Sequence, residues 1–128
     1  MPTKQGDFVW YELLSPDVQA SARFYSGLLG WKVGDSPDYR EITASEGMVG
    51  GMLPLTPEMT SGGARPAWLG YIAVDDVDAT LRRVEAAGGR TLMPARDMEG
   101  VGRFALVADP QGAPFYLFRP LGGTGDTS

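Results

Sequence analysis

Apolar and polar positions change period twice along this chain, and the same succession of periods occurs in both halves. Short runs rich in β-branched and aromatic residues predict strands near 8–14, 31–34, 38–44 and 48–55, and again near 68–74, 90–93, 102–108 and 113–119. Within each half a helical period interrupts the strands: Val18, Ala22 and Tyr25 recur at helical spacing in the first, Val77, Leu81 and Val84 in the second. Each stripe gives a helix one apolar face to lay on a sheet. Asp17 and Asp76 stand where helix N-caps belong, because a carboxylate there can accept from the unpaired N–H groups of the first turn. Gly30 and Gly88-Gly89 supply the left-handed residue that ends a helix. Ser45-Glu46-Gly47 and Asp109-Pro110-Gln111-Gly112 read as turns between strands.

The two halves also match letter by letter. Asp17-Val18-Gln19-Ala20-Ser21-Ala22-Arg23 lies over Asp76-Val77-Asp78-Ala79-Thr80-Leu81-Arg82 at an offset of 59 residues, with four of seven positions identical. At that offset Leu13 falls on Ile72, Gly30 on Gly89 and Val33 on Leu92, so the match extends from strand through helix to the next strand. The chain is therefore expected to hold two βαβββ modules, about 6–55 and 67–120. Residues 56–66 (TPEMTSGGARP) read as a linker or mobile loop, with a role as a lid left open, and the tail 121–128 (LGGTGDTS) is expected to fray.

At 128 residues the modules are expected to share one core and form a single domain over 1–128. No apolar run approaches the roughly 20 residues of a membrane helix, and the start MPTKQGD lacks a signal-type segment, so a cytoplasmic protein without a membrane partner is expected. A net charge of −5 and the absence of a basic cluster argue against nucleic acid as a partner. With no cysteine and no histidine, the chain can form no disulfide, thiolate metal site, cysteine nucleophile or Ser-His-Asp triad.

The order and spacing of Ser15-Pro16-Asp17, Arg23-Phe24-Tyr25, Leu29-Gly30-Trp31, Val74-Asp75-Asp76-Val77-Asp78-Ala79 and Asp109-Pro110-Gln111-Gly112 resemble the glyoxalase/bleomycin-resistance/extradiol-dioxygenase superfamily, the vicinal oxygen chelate proteins. The resemblance covers the chain from about Gly6 to Pro120. It implies an α+β fold in which the two modules pair into an open, eight-stranded, barrel-like sheet with helices outside, enclosing a ligand cavity. It also implies a divalent metal held by His and Glu from strands of both modules. The corresponding positions here are Trp10, Leu69 and Tyr116, and none of the three matches. An indole, an alkyl chain and a phenol do not make the oxygen-and-nitrogen shell of such a metal, so no metal and no cofactor is expected. A substitute shell from Glu12, Glu41 and backbone oxygens has no pattern behind it.

If position 10 faces the cavity, strand alternation brings Glu12 with it, Tyr71 follows Leu69, and Phe118 follows Tyr116, with Met52 added from the fourth strand. The expected ligand-binding set is thus Trp10, Glu12, Met52, Leu69, Tyr71, Tyr116 and Phe118. A mostly aromatic wall with a few polar tips suits a flat organic molecule. Leu69, Met52 and Phe118 read first as core fillers, as does Trp31, whereas Trp68 would face away from Leu69, toward a helix or a subunit interface. Glu12 is the candidate acid-base group, since burial penalises an unpaired carboxylate. A structural carboxylate bonded to backbone amides or Arg40 is the competing reading.

Three functions follow. The first is metal-independent binding and sequestration of a small planar molecule, with a homodimer expected by analogy and a cationic ligand favoured by the acidic balance. The second is a metal-free enzyme of secondary metabolism, an isomerase, hydratase, cyclase or hydroxylase-like protein, using Glu12 with Tyr71 or Tyr116 as hydrogen-bond donor. The third is a structural module filled by its own side chains.

Overall fold

A computed structural model describes residues 4–121, so all but Leu121 of the tail lies outside the described residues. The strands are β1 (Phe8–Ser15), β2 (Lys32–Val33), β3 (Arg40–Ala44), β4 (Gly47–Pro54), β5 (Ala67–Ala73), β6 (Arg90–Met98), β7 (Gly102–Ala108) and β8 (Pro114–Pro120). The helices are α1 (Val18–Leu29), α2 (Pro57–Ser61) and α3 (Val77–Ala86). Hydrogen-bonded neighbours run β2-β3-β4-β1-β5-β8-β7-β6, a mixed eight-stranded sheet of an α+β fold. The chain divides into two compact units, Trp10–Leu69 and the remainder, which contains Gly70 onward together with the residues before Trp10. Among the described residues no helix is long and apolar enough to cross a membrane.

In the Trp10–Leu69 unit, β1 runs parallel to β4, and β3 runs antiparallel to both β4 and β2. The stripe on α1 does what its spacing predicts: Ala22 joins Leu13, Ile42 and Met52 in a buried cluster, with Val18, Tyr25, Trp31 and Val33 packed around it. Asp17 caps α1 by accepting from the Ala20 N–H at 3.0 Å. Gly30 ends it at φ 72°, where a side chain would be strained. Trp31 stacks on Tyr25 at 5.6 Å. Trp68 meets Tyr25 edge-on at 5.4 Å and donates its indole N–H to the Tyr25 hydroxyl at 3.1 Å.

The second unit repeats this plan. β5 is parallel to β8, and β7 is antiparallel to β8 and β6. Val77 of α3 is buried with Val74, Ala105, Val107 and Leu117, and Leu81, Val84, Ala95 and Phe115 complete that side. Asp76 accepts from the Ala79 N–H at 3.0 Å. In the β7–β8 turn, one Asp109 oxygen accepts from the N–H groups of Gln111 and Ala113, both at 2.9 Å. Arg103 of β7 bonds Asp78 of α3 at 2.9 Å and Asp97 of β6 at 3.1 Å, holding the Asp78 carboxyl below its ordinary range. On an exposed surface such pairs add little stability.

Two segments differ from the pattern reading. Residues 56–66 include a helical turn, α2, because Thr56 accepts from the Met59 N–H at 3.2 Å and Pro57, in the first turn, has no N–H to leave unpaired. β6 continues to Met98, past the expected end at 93. Register shifts on both sides of Met93 let Pro94 ride in an edge strand, where its missing N–H breaks no central ladder.

Candidate functional site

Because successive strand residues point to opposite faces, Leu13 of β1 turns into the α1 cluster while Trp10 and Glu12 take the helix-free face. Glu12 is only 2% exposed, and Trp10 is half-buried. Between them stands Tyr39, the residue before β3. Trp10 donates its indole N–H to the Tyr39 oxygen at 2.7 Å, and the Tyr39 hydroxyl donates in turn to Glu12. In the β1–β4 register Glu12 lies opposite Gly51, and a Cβ built on Gly51 would run into the Tyr39 phenol. The missing side chain is what lets the ring lie there.

This arrangement raises the Tyr39 pKa from 10.0 to about 12. Burial is the largest cause, the charges of Glu12 and Glu41 and the bond to Glu12 add to it, and the Trp10 N–H opposes it by stabilising the phenolate. Tyr39 is therefore a neutral hydrogen-bond donor at ordinary pH, backed by a buried carboxylate.

The parallel register moves Met52 away from this group. Met52 pairs with Leu13, not Glu12, and sits fully buried in the α1 cluster instead of joining the expected ligand-binding set, and it is Gly51 that lies opposite Glu12. Sequence reading missed Tyr39 altogether. Its aromatic character was visible, but the signal that matters is the glycine beneath its ring, and that pairing exists only once β3 and β4 are in register.

The other unit carries an aromatic ladder on the face away from α3. Tyr71 and Tyr116 are register partners whose rings stack at 4.1 Å and 14°. Phe118 meets Tyr71 edge-on at 5.8 Å, and Phe104 of β7 lies 6.1 Å from Tyr116. The Arg96 guanidinium lies over Phe104 at 5.4 Å. Tyr71 and Tyr116 are buried; Leu69, also buried, belongs to the Trp10–Leu69 unit.

Residues 7–117 match the Glyoxalase/Bleomycin resistance protein/Dioxygenase superfamily. The chain belongs to this superfamily. The anthracycline biosynthesis protein DnrV of Streptomyces peucetius is 38% identical over 125 residues, covering 86% of this chain and 46% of its own length. CFP32 of Mycobacterium bovis is 36% identical over 130 residues, covering 94% of this chain and 49% of its own. This chain thus spans about half the length of these curated relatives. Homoprotocatechuate 2,3-dioxygenase of Brevibacterium fuscum, in complex with 3,4-dihydroxyphenylacetate, superposes with a TM-score of 0.65 at 22% identity, over 93% of this chain and 38% of that one. That likeness is one of fold.

The residues at the superfamily's metal positions do not fit a metal. The Trp10 nitrogen carries the proton it gives to Tyr39, Leu69 has no donor atom, and the Tyr116 ring is stacked on Tyr71. Among the described residues no three His, Cys, Asp or Glu side chains gather into a group that could hold one.

Proposed function

We propose that this superfamily member binds a small, planar organic molecule without a metal, through Trp10 and Tyr39. The observation that carries the reading is the Trp10–Tyr39–Glu12 hydrogen-bond chain, whose two aromatic members are half-buried and whose carboxylate is buried. An indole and a phenol offer stacking surface at low entropic cost, and the phenol oxygen adds a directional polar contact. The similarity to DnrV makes a polycyclic aromatic of the anthracycline class the first molecule to test.

The test is calorimetric titration of chelator-treated protein with an anthracycline, followed by mass analysis of the recovered ligand. Saturable binding, unchanged ligand and a weakened affinity in Trp10→Phe support the reading. Absence of binding, or binding that needs an added divalent metal, overturns it.

The same hydrogen-bond chain favours one alternative. The single Tyr39 proton is held by Glu12, so a substrate oxygen takes that hydrogen bond only by replacing Glu12 as its acceptor, which frees the carboxylate to take up a substrate proton, the chemistry of a metal-free isomerase or cyclase. Under that reading the recovered ligand is transformed, and Glu12→Gln abolishes turnover while binding persists. Turnover that survives Glu12→Gln excludes it.

A further inference from the structure

Where β1 turns into α1, the Trp10–Leu69 unit carries an open groove of about 410 Å³. Pro16 and Asp17 border it on one side, and Pro66, Ala67 and Trp68, at the start of β5, on the other. Neither Trp10 nor Tyr39 lines it. Its walls are largely apolar, with Trp68 40% exposed, and Ser15, Asp17, Ser21 and Tyr25 supply its polar groups.

Those polar groups do not satisfy one another. The Ser15 and Ser21 hydroxyls lie 2.7 Å apart, and Ser15 Oγ also accepts from the Asp17 N–H at 3.1 Å. One hydrogen makes the bond between the two serines, so whichever donates, the other's hydrogen has no acceptor among the described residues. Ser15 is only 4% exposed, and an unpaired donor at such a place costs free energy. The Tyr25 oxygen accepts from the Trp68 indole N–H at 3.1 Å, and its own hydrogen likewise has no acceptor among the described residues. Asp17 uses one carboxylate oxygen on the Ala20 N–H at 3.0 Å, and the other accepts from no described residue. The groove thus offers two donor hydrogens and one acceptor oxygen beside an exposed indole.

We propose that this groove is a second binding site, for a neutral sugar in its pyranose form. The lining contains no lysine or arginine, so a carboxylate or phosphate would meet Asp17 without a counter-charge. A cation is not called for either, because the Asp17 carboxylate already sits on the positive end of α1. The occupant that remains is uncharged, accepts two hydrogen bonds, donates one and covers apolar surface. A pyranose does all of these: each hydroxyl both accepts and donates, and the C–H face of the ring can lie against the Trp68 indole. A proline-rich peptide, which apolar walls of this kind also suit, has no proline N–H to give Asp17. The proposal does not draw on the reading of Trp10 and Tyr39.

Amide and indole NMR of the isotopically labelled full chain, titrated separately with D-glucose, D-galactose, D-mannose and L-rhamnose, tests this. At least one sugar is expected to saturate with a dissociation constant on the order of 1 mM, shifting the Trp68 indole N–H and the amides of residues 15–21. Tyr25→Phe, which keeps the ring and removes one free donor, should weaken that sugar about tenfold. The double variant Ser15→Ala/Ser21→Ala should do the same, and Trp68→Leu should weaken it at least as much. Trp10→Phe should leave the affinity unchanged, which separates this site from the one proposed above. Amide dispersion shows whether each variant is folded, and Tyr25→Phe is the conservative one that decides if the others are not. The proposal is overturned if none of the four sugars gives a saturable shift, if Tyr25→Phe leaves the affinity intact, or if an oligoproline peptide saturates these resonances and no sugar does.

Discussion

The indole nitrogen of Trp10 lies 2.7 Å from the hydroxyl oxygen of Tyr39, 29 residues further along the chain. That bond joins β1 to the start of β3 across β4, and it fixes the direction of the chain that follows: indole to phenol, phenol to Glu12. The polarity of the group rests on the phenol remaining protonated.

Its protonation can be read directly. Tyrosinate absorbance of the wild type minus that of Tyr39→Phe should titrate with a midpoint of about 12 instead of 10.0. A folded state that keeps its proton while the unfolded chain releases it loses stability as pH rises. The contribution of Tyr39 is therefore intact below pH 10.0 and declines between there and about 12. A difference midpoint at the ordinary tyrosine value would disprove the burial and charge environment described.

The neighbours of Tyr39 should move that midpoint in opposite directions. Glu12→Gln removes a negative charge and lowers it, whereas Trp10→Phe removes the donor that stabilises the phenolate and raises it. Shifts of the same sign in both variants would show that the phenol does not sit between these two groups.

Two adjacent glycines should prove unequal to a third. Alanine at Gly51 collides with the Tyr39 phenol, and alanine at Gly50 collides with the Tyr11 carbonyl, which is backbone and cannot swing aside. Gly51→Ala is expected to cost about 1–3 kcal/mol, and Gly50→Ala at least as much. Gly34→Ala, whose new methyl would meet Glu41 backbone at 3.5 Å, should be close to neutral. Urea denaturation of the three variants measures this, and equal stabilities would contradict the fit of ring to glycine.

In the second unit, the Tyr71–Tyr116 stack predicts a coupling of about 0.5–1.5 kcal/mol in a double-mutant cycle with leucine at each position. Additive effects would mean that the two rings are merely both buried.

Cap removal provides a test of the duplication itself. Asp17→Ala and Asp76→Ala should each cost about 1 kcal/mol, since each carboxylate accepts one first-turn N–H at 3.0 Å. The double variant should lose the sum, because the two caps belong to different helices with no shared partner. A free loss at either position would show that the repeat is one of letters alone.

The sequence by itself determined the two modules, their helix starts and stops, the Asp109 turn and the face each helix buries. These features are local: Asp17 reaches Ala20 and Asp109 reaches Gln111 and Ala113 within four residues, and a helical stripe is readable because every residue's direction follows from the one before it. It also showed that no histidine or carboxylate stands at Trp10, Leu69 and Tyr116, which the resemblance implies are the superfamily's metal positions, because residue type alone decides which donor atoms exist. Tertiary structure decided the rest. Whether Met52 or Gly51 faces Glu12 depends on the register of two parallel strands separated by a helix and two further strands, and a one-residue shift would exchange them. Tyr39 enters the site for the same reason. Its partners, Trp10, Glu12 and the space above Gly51, come from two other strands, and only the packed sheet brings them to one phenol.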